Sequence, residues 1–462
     1  MHRPFLRTRL AAAVGLLLAN AAVFADSKFS DFTPLSNSAT PTADEAMPIT
    51  FGNPDFTQKS IADRNTQLAA NKPNTGAWDM ITLNETGRDK GRYLFTVFET
   101  ASAGVQRHDL KTGLTDTIWQ SPGTAPALNS HVAFDASYWT PWGTFITAEE
   151  SWGGQPQPYG RLFELNNPTR APAITGAVTE ESNSGARFFH RNVIPRTSHE
   201  GIQFDKAGNM YFIDELNGGN VYKYTSSAKM DDVLDGKADY FAAGTTYVLR
   251  VGDGATPNAT GAYEWIPFTD ADGLALPGAI TIVDPNGISS VDARASADTV
   301  LYKGTDYQRP EDLQIQKVRG KEYLYMATTT TNEVYRLDLK NQTISVFANR
   351  NTIDLATGLA LGSALTSPDN LAIDHEGNIY IIEDRNGGVD DDIWFAKDLN
   401  KDGDLNDTGE GLARWASNGT PGSEFTGLYF DPFNEKRAWV NIQHPSSGND
   451  RTIEIKATQE GE

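Results

Sequence analysis

The sequence contains no cysteine, and it has few basic residues for its length. The missing cysteines exclude disulfide bonds, thiolate nucleophiles and cysteine metal ligands together. Lys and Arg number 39 against 60 Asp and Glu, which gives a formal net charge of −21. Nucleic-acid binding depends on basic side chains that neutralise phosphates, so we expect no nucleic-acid partner. The surplus of carboxylates instead favours a protein whose acids are partly neutralised by divalent cations.

Long apolar runs are absent except at the N terminus. Arg3, Arg7 and Arg9 precede the apolar residues 10–24, and small residues lie where a signal peptidase cuts. We therefore predict a signal peptide at residues 1–25 and a periplasmic or secreted protein. The arginines are not a twin pair, which favours general secretion. No later stretch approaches the roughly 18 uncharged apolar residues of a membrane span, so we expect no membrane association.

A nucleophile elbow of the form Gly-x-Ser-x-Gly is absent as well. His199 stands directly before Glu200, and neighbouring residues of a strand point to opposite faces. We therefore interpret His199 as a packed structural histidine rather than a catalytic base.

The clearest positive signal is a repeated hairpin. Residues 200–215 nearly superimpose on residues 369–384, and in both segments alternating apolar residues flank the turn sequence Asp-x-x-Gly-Asn. Looser copies occur at residues 81–99, 132–150, 312–328 and 427–441. Hairpins repeated in this way are typical of a β-propeller, in which four-stranded blades surround a central channel. We predict an all-β fold, a monomeric six-bladed β-propeller with inserted loops and short helices.

The predicted propeller domain spans residues 76–462. Residues 26–75 are rich in Ser, Thr, Pro and Asn, which predicts an extended or partly disordered segment that wraps the propeller. The longest departure from the repeat spacing is an insertion at about residues 226–308, with a helical pattern at 227–242. An insertion of this size is expected to cover one end of the scaffold and to serve function, because loops carry sites.

Acidic residues recur at the head of the predicted inner hairpins. Glu200, Glu311 and Asp369 each stand at this position, which in a propeller is the rim of the axial channel. Further acids follow the predicted strands at 149–150 and 383–384. Several carboxylates that face one channel repel one another unless cations neutralise them, so the pattern predicts a centre with more than one cation.

A short acidic loop carries the most specific motif. Oxygen side chains alternate at Asp398, Asn400, Asp402 and Asp404, and Gly403 provides the sharp turn of a calcium loop. Gly409 occupies the twelfth position, where such loops have a bidentate glutamate, and Glu410 follows it. We predict a structural calcium site with Glu410 as the substitute ligand; the alternative is a solvated acidic turn.

Five segments together resemble the successive motifs of the PhoX-type alkaline phosphatases, in the same order. They lie at residues 147–150, 196–200, 309–311, 367–369 and 440–445, and the most distinctive is Asn-Ile-Gln-His-Pro in the last. The resemblance implies an exported six-bladed propeller that hydrolyses phosphate monoesters at a cluster of calcium and iron ions. It implies metal-ligating acids at Glu149, Glu200, Glu311 and Asp369, and a phosphate-contacting arginine at Arg309. Arg309 and Glu200 are the residues expected to carry catalysis.

Position 148 departs from this family pattern. Members have an iron-binding cysteine there, whereas this chain has Ala148, whose side chain has no donor atom. The remaining carboxylates favour the binding of more than one Ca²⁺ ion, or alternatively of Mg²⁺ or Mn²⁺. They do not favour iron.

Three functions fit these observations. The first is a calcium-dependent phosphatase or phosphodiesterase acting on a small phosphate ester, with Arg309 steadying the phosphoryl charge. The second is a hydrolase of the gluconolactonase type, because residues 200–209 also resemble that group of propellers. The third is a propeller that calcium stabilises and that has no catalytic activity.

Overall fold

The structure is a computed structural model. It describes residues 28–124, 130–152, 158–170, 179–180, 188–385 and 391–457. The predicted signal peptide lies outside the described residues. Within these ranges, no helix is both long and apolar enough to span a bilayer.

The first half of the described chain forms three four-stranded meanders. Before them lie β1 (Ile49–Phe51), β2 (Thr57–Asp63) and α1 (Arg64–Ala69). The first meander is β3 (Trp78–Leu83), β4 (Tyr93–Phe98), β5 (Gly104–Asp109) and β6 (Leu114–Gln120). The second is β7 (Phe134–Trp139), β8 (Phe145–Glu149), β9 (Leu162–Leu165), the two-residue β10 (Thr179–Glu180) and β11 (Phe188–His190). The third is β12 (Ile202–Phe204), β13 (Met210–Ile213), the loop strand β14 (Asn217–Gly219), β15 (Val221–Ser226), α2 (Met230–Leu234) and β16 (Gly244–Val251).

The second half repeats the same unit after a long connection. The connection contains β17 (Gly261–Pro267), β18 (Thr281–Val283), β19 (Ser289–Val291), α3 (Ala293–Ala297) and β20 (Tyr307–Gln308). The next meander is β21 (Pro310–Val318), β22 (Lys321–Thr328), β23 (Glu333–Asp338) and β24 (Thr343–Ala348). After β25 (Ile353–Asp354), β26 (Leu359–Ala360) and a 3₁₀ helix (Gly362–Ala364) come β27 (Pro368–Ile373), β28 (Ile379–Glu383), β29 (Asp392–Lys397) and β30 (Gly411–Asn418). The chain finishes with β31 (Glu424–Phe430), β32 (Arg437–Gln443) and β33 (Arg451–Lys456).

The first strands of the meanders pack against one another in a closed ring. In order around the ring they are β3, β7, β12, β21, β27 and β31, and β31 returns to β3. The four main strands of each meander pair antiparallel, while the two-residue β10 pairs parallel with β11, so each described sheet runs outward from this ring. This radial arrangement is that of a β-propeller, and the predicted all-β propeller fold is confirmed.

The N-terminal segment takes part in the sheets. β2 pairs with β33 as the outer strand of the last meander, and β1 pairs with β30 of the meander before it. Closing the ring with a strand from the start of the chain ties both ends of the fold together. The sheet therefore includes residues 57–63, which lie before the domain boundary expected at residue 76.

The connection between the third and fourth meanders is shorter than the predicted insertion. β16 is a regular strand of the third meander and lies inside residues 226–308. The helix expected at 227–242 is only α2, because a turn at Gly236, with φ of 69°, follows its last residue closely. β17 joins two meanders into one nine-stranded sheet through its pairing with β24.

Large apolar side chains fill the spaces between neighbouring sheets. Trp415 and Tyr380 pack with Phe430 between the last two meanders, and all three are buried. Burial of such aromatic side chains stabilises by about 25 cal/mol for each Å² of apolar surface. The sheets are therefore held as rigid supports for the residues at the channel mouth.

Candidate metal centre

One mouth of the channel opens into an acidic cavity of about 300 Å³. The described residues that line it come from the starts of inner strands and the ends of second strands. They are Asp79, Glu99, Asp135, Glu150, Trp152, Glu200, Glu215, Arg309, Asp369, Asp384, Glu424, Thr426, Gln443 and His444.

Five inner strands begin with the same backbone contact. The amide of the residue after the second strand donates to the carbonyl of a residue before the inner strand. These pairs are Glu99 to Ala77 at 2.9 Å, Glu150 to Ala133 at 2.8 Å, Glu215 to Ser198 at 3.0 Å, Thr329 to Arg309 at 3.2 Å and Asp384 to Ser367 at 3.0 Å. The contact defines equivalent positions in five meanders whose sequences differ.

An acid stands two residues after each accepting carbonyl. These five residues, here called the head acids, are Asp79, Asp135, Glu200, Glu311 and Asp369. In four of the five inner strands the register shifts beside the head acid, which marks a β-bulge. A bulge re-aims the side chain next to it, so the acids turn towards the channel mouth instead of following the pleat.

The donating residues supply a second set of acids. Glu99, Glu150, Glu215 and Asp384, here called the second-strand acids, all line the cavity. Thr329 occupies the fifth such position, and its hydroxyl donates to Glu311 Oε1 at 2.6 Å. The meander that begins with β21 therefore supplies one carboxylate fewer than each of the other four meanders that share this contact.

The last meander contributes differently. Its bulge lies between Thr426 and Tyr429, so Gly427 stands where the other inner strands carry the head acid. Gly427 has φ of 60°, and a Cβ there would lie 2.7 Å from the amide nitrogen of Ile81. A side chain does not fit, and this meander instead lines the cavity with Glu424, Thr426 and residues 443–444.

Two groups of carboxylates come close enough to share a cation. Asp79, Glu99 and Asp135 each offer an oxygen, and these oxygens lie within 4.8 Å of one another. Glu200, Glu215 and Glu311 form a second such group with the same limit. Glu200 and Glu311 were expected to meet, and they do; Asp369 lines the same cavity outside these two groups.

Burial and mutual repulsion raise the pKa of the head acids. Desolvation, followed by the charge of Glu150, raises the pKa of Asp79 to about 8. Desolvation also raises the pKa of Glu311 to about 8, although Arg309 opposes it. The same kind of environment raises the pKa of Asp135, Glu200 and Asp369. Ionised carboxylates are costly here unless positive charge is added, and bound cations supply it.

The donor set fits hard cations. Asp135 Oδ1, Glu311 Oε2 and Glu424 Oε2 are buried without a hydrogen-bond partner among the described residues, so they are available as ligands. Carboxylate oxygens are preferred by Ca²⁺, Mg²⁺ and Mn²⁺. Ala148 is fully buried in an apolar cluster and offers no donor where the related phosphatases are expected to hold iron.

Arg309 is the only lysine or arginine among the described lining residues. Its Nη2 lies 2.5 Å from Glu215 Oε1, and its Nε lies 3.2 Å from Glu311 Oε1. The guanidinium also stacks over the Trp152 ring at 4.9 Å, while the side chain stays 23% exposed. Arg309 is thus held at the edge of the cavity, beside the position where Thr329 replaces an acid.

Glu149 is placed differently from the expectation. Its carboxylate forms a buried ion pair with Arg161, and its oxygens also accept the amides of residues 160 and 161 at 3.0 Å. Neighbouring strand residues point to opposite faces, so Glu150, and not Glu149, faces the cavity. Glu149, the acid expected as a metal ligand, is thus paired with Arg161, and Glu150 is the acid at the end of β8 that lines the cavity.

The predicted calcium loop adopts a compact turn away from the cavity. Asp398 Oδ2 accepts the amide of Gly403 at 3.0 Å, and Glu410 Oε1 accepts the amide of Leu399 at 2.8 Å. Asn400 Nδ2 donates to Asp402 Oδ2 at 2.9 Å. Within the described residues, the groups of three acids that meet within 4.8 Å are both at the cavity, and Asp398, Asp402, Asp404 and Glu410 belong to neither. Calcium binding by the loop stays a prediction.

Sequence reasoning missed several cavity acids. Asp79, Asp135 and Glu424 were not singled out, and Glu99, Glu215 and Asp384 were not assigned as ligands. The usable signal was positional: in two inner strands the acid directly follows an aromatic first residue, as in Trp78-Asp79 and Phe134-Asp135.

Several solved structures are similar to this chain at low sequence identity. Virginiamycin B lyase from Staphylococcus aureus is 11% identical, with 87% of this chain and 99% of that chain covered and a TM-score of 0.42. A protein described as a gluconolactonase is 14% identical, with 91% and 97% covered and a TM-score of 0.38. The calcium-binding protein regucalcin from Agrobacterium tumefaciens is 11% identical, with 87% and 95% covered and a TM-score of 0.41. At these identities the likeness concerns the fold alone.

A search of the curated proteins finds no match. The sequence model of the family described as alkaline phosphatase PhoX matches residues 136–446. This range covers more than half of the chain and includes three of the head acids, namely Glu200, Glu311 and Asp369, together with Glu150 and Arg309. The protein is therefore a member of the alkaline phosphatase PhoX family.

Proposed function

We propose that this protein is an exported phosphoric ester hydrolase that works with calcium-type cations in the acidic cavity. One observation carries the proposal: four head acids and the four second-strand acids line one cavity, the fifth head acid, Glu311, meets two of them within 4.8 Å, and Arg309 is the one arginine among the described lining residues. Metal cations held by carboxylates, together with an arginine, recur in the active sites of enzymes that transfer phosphoryl groups. The ligands proposed are the head acids, including Glu200, Glu311 and Asp369, with Glu150 in place of Glu149.

Arg309 is assigned to the phosphoryl group. A planar guanidinium binds phosphate oxygens with two parallel hydrogen bonds, and it stays charged at any relevant pH. Glu215 and Glu311 hold it in place, and the Trp152 ring supports its face. Thr329 leaves room on this side because it is shorter than the glutamates at equivalent positions.

Glu200 has a positioning and ligating role in this proposal. Its Oε1 accepts a hydrogen bond from Asn370 Nδ2 at 3.2 Å, which orients the carboxylate towards Glu215 and Glu311. Bound divalent cations would polarise phosphoryl oxygens and make a bound water more acidic.

The test combines metal analysis with hydrolysis assays. Purified protein is assayed on a phosphate monoester, a phosphate diester and an aldonolactone, with and without chelator, while bound metals are counted by elemental analysis. We expect calcium and chelator-sensitive hydrolysis of a phosphate ester. Arg309→Met should retain bound metal and lose phosphate-ester hydrolysis by about a hundredfold or more. The control is Arg250→Met, because Arg250 pairs with the exposed Glu264 on an outer strand.

Two outcomes contradict the proposal. Lactone hydrolysis that survives Arg309→Met, with no phosphate-ester hydrolysis, would assign the site to the gluconolactonase type of reaction. Bound calcium with no hydrolysis of any of the three substrates would favour a propeller that calcium only stabilises. If elemental analysis found iron in a stoichiometric amount, the inference from Ala148 that the site disfavours iron would be wrong.

A further inference from the structure

A second hollow of about 310 Å³ adjoins the acidic cavity. Glu99 and His444 line both spaces, so the hollow continues directly from the cavity. Its other wall includes Arg64, Thr75 and residues 76–77. A substrate whose phosphoryl group lies in the cavity can therefore extend its alcohol portion into the hollow.

Arg64 reaches this hollow through the closure of the ring. β2 pairs with β33 along the last meander, and Arg64 is the first residue after β2. Its amide donates to the carbonyl of Asp450 at 3.0 Å, which fixes the backbone beside the hollow. A segment distant in sequence from the head acids thus supplies a cation next to their cavity.

The guanidinium of Arg64 is held by two backbone carbonyls. Its Nη1 donates to the carbonyl of Gly448 at 2.9 Å, and its Nε donates to the carbonyl of Asn74 at 3.4 Å. Both oxygens of the nearby Asp450 accept backbone amides instead, from His444 at 3.0 Å and from Ala77 at 3.1 Å. Among the described residues Arg64 forms no ion pair within 4.0 Å, and its charge acts on Asp450 from a longer distance, where it opposes the rise of the Asp450 pKa that burial causes.

Gly76 keeps the guanidinium close to the backbone. It has φ of 86°, and a Cβ there would lie 3.0 Å from Arg64 Nε and 2.8 Å from Asp450 Oδ2. A side chain at this position would be strained by the positive φ and would crowd both Asp450 and Arg64. The chain thus provides a cation at the side of the proposed phosphoryl site, fixed by two carbonyls and, among the described residues, without a direct ion pair.

We propose that the hollow is a leaving-group subsite, and that Arg64 selects phosphate esters whose alcohol carries a second negative charge, a carboxylate or another phosphate. This inference rests on the proposed function. The surrounding acids repel an anionic leaving group, so a fixed cation is needed where such a group is accepted. Arg309, at the edge of the cavity, is already engaged by Glu215 and Glu311 and serves the transferred phosphoryl group.

The test uses two esters that differ in one group: 3-phosphoglycerate, whose leaving group has a carboxylate, and glycerol 3-phosphate, whose leaving group is neutral. We expect wild-type kcat/KM to favour 3-phosphoglycerate. Arg64→Met should lower kcat/KM for 3-phosphoglycerate about tenfold or more and change that for glycerol 3-phosphate by less than about twofold, since one charge-assisted hydrogen bond is lost. Arg64→Lys keeps the positive charge, so its kcat/KM for 3-phosphoglycerate should lie between the values of the wild type and of Arg64→Met. Arg88→Met, an exposed arginine that lines neither space, should change neither value.

Equal kcat/KM values for the two esters in the wild type, or equal losses for both in Arg64→Met, would overturn the subsite while leaving the phosphatase proposal intact. Absence of hydrolysis of either ester would instead reject the proposed function. In that case calorimetric binding of glycerate to the calcium-loaded protein still decides the subsite: Arg64→Met should weaken it about tenfold, and unchanged binding would overturn the inference.

Discussion

Glu149 and Arg161 form a buried ion pair with two contacts, Nη2 to Oε1 at 2.6 Å and Nε to Oε2 at 2.8 Å. Both side chains are at most 3% exposed. The pair holds the end of β8 and turns Glu150 towards the cavity, because the two glutamates occupy opposite faces of the strand. Glu149 is therefore a support behind the acidic cavity.

The first prediction concerns this ion pair. Arg161→Met should lower the free energy of unfolding at pH 7 by about 3–5 kcal/mol, because it leaves a buried carboxylate without its partner. Urea titration measures this loss. Arg250→Met removes an exposed pair and should cost about 1 kcal/mol or less. Equal effects of the two variants would show that the Glu149 pair contributes no more than a surface pair.

The same ion pair predicts a pH dependence. Burial alone would raise the pKa of Glu149, but the Arg161 guanidinium outweighs burial and lowers it to about 2. The folded pKa is below the unfolded value, so the contribution is present above about pH 4.5 and is lost as the pH falls towards 2. It amounts to about 3 kcal/mol. Arg161→Met should flatten this part of the stability profile between pH 4.5 and 3, and an unchanged slope would contradict the assignment.

The second prediction concerns the metal-free cavity. The pKa values of Asp79 and Glu311, both raised to about 8, mean that the folded protein binds protons which the unfolded chain releases above about pH 4. The stability of chelator-treated protein should therefore rise as the pH falls from 9 to 6, because protons replace the missing cations.

Thermal unfolding in chelator across this pH range measures the effect, and saturating calcium should flatten it. Asp79→Asn removes one of the repelling charges with little change of shape. This variant should raise the Tm of the chelated protein at pH 8 and reduce the further rise that calcium gives. A Tm that changes with neither pH nor calcium would mean that protein contacts already neutralise the charge of the head acids.

The fold was readable from the sequence because the hairpin repeat is a local signal. Alternating apolar residues on both sides of Asp-x-x-Gly-Asn specify strand, turn and strand without reference to distant contacts. β2 was not recognised as a propeller strand, because its partner β33 lies at the other end of the chain. Only the closed ring shows that residues 57–63 complete a sheet.

The sequence predicted some of the residues at the cavity. Glu200, Glu311 and Asp369 were found because each stands at the head of a predicted hairpin, whereas Asp79 precedes the predicted hairpin of residues 81–99 and Asp135 lies inside that of residues 132–150. Alternation showed that only one of Glu149 and Glu150 faces the channel. The choice between them depends on Arg161, a contact that strand periodicity does not encode.

The third prediction concerns the loop at residues 398–410. If the loop binds calcium in the folded state only, calcium should raise the Tm by linkage, and Asp402→Ala should remove part of that rise. Asp235→Ala, at an exposed turn paired with Lys237, is the control. Because the cavity also responds to chelator, the informative quantity is the difference in calcium-dependent Tm between Asp402→Ala and wild type. No difference would identify the loop as a solvated turn.

The last prediction distinguishes a shared metal centre from a set of independent turn caps. Glu200 and Glu311 offer oxygens within 4.8 Å of each other and of Glu215, so a cation bound there contacts both. Glu200→Gln and Glu311→Gln should each lower the bound-metal count and abolish hydrolysis, and the double variant should lose little more, because residues that act as one unit are not additive. If the acids were independent caps, each substitution would lower the free energy of unfolding by about 0.5–2 kcal/mol, the two losses would add nearly fully, and bound metal would not change.

Elemental analysis and urea titration of the two single variants and the double variant separate these cases, with the exposed Glu435→Gln as the control. Full metal content in both single variants would reject the cavity as a metal centre.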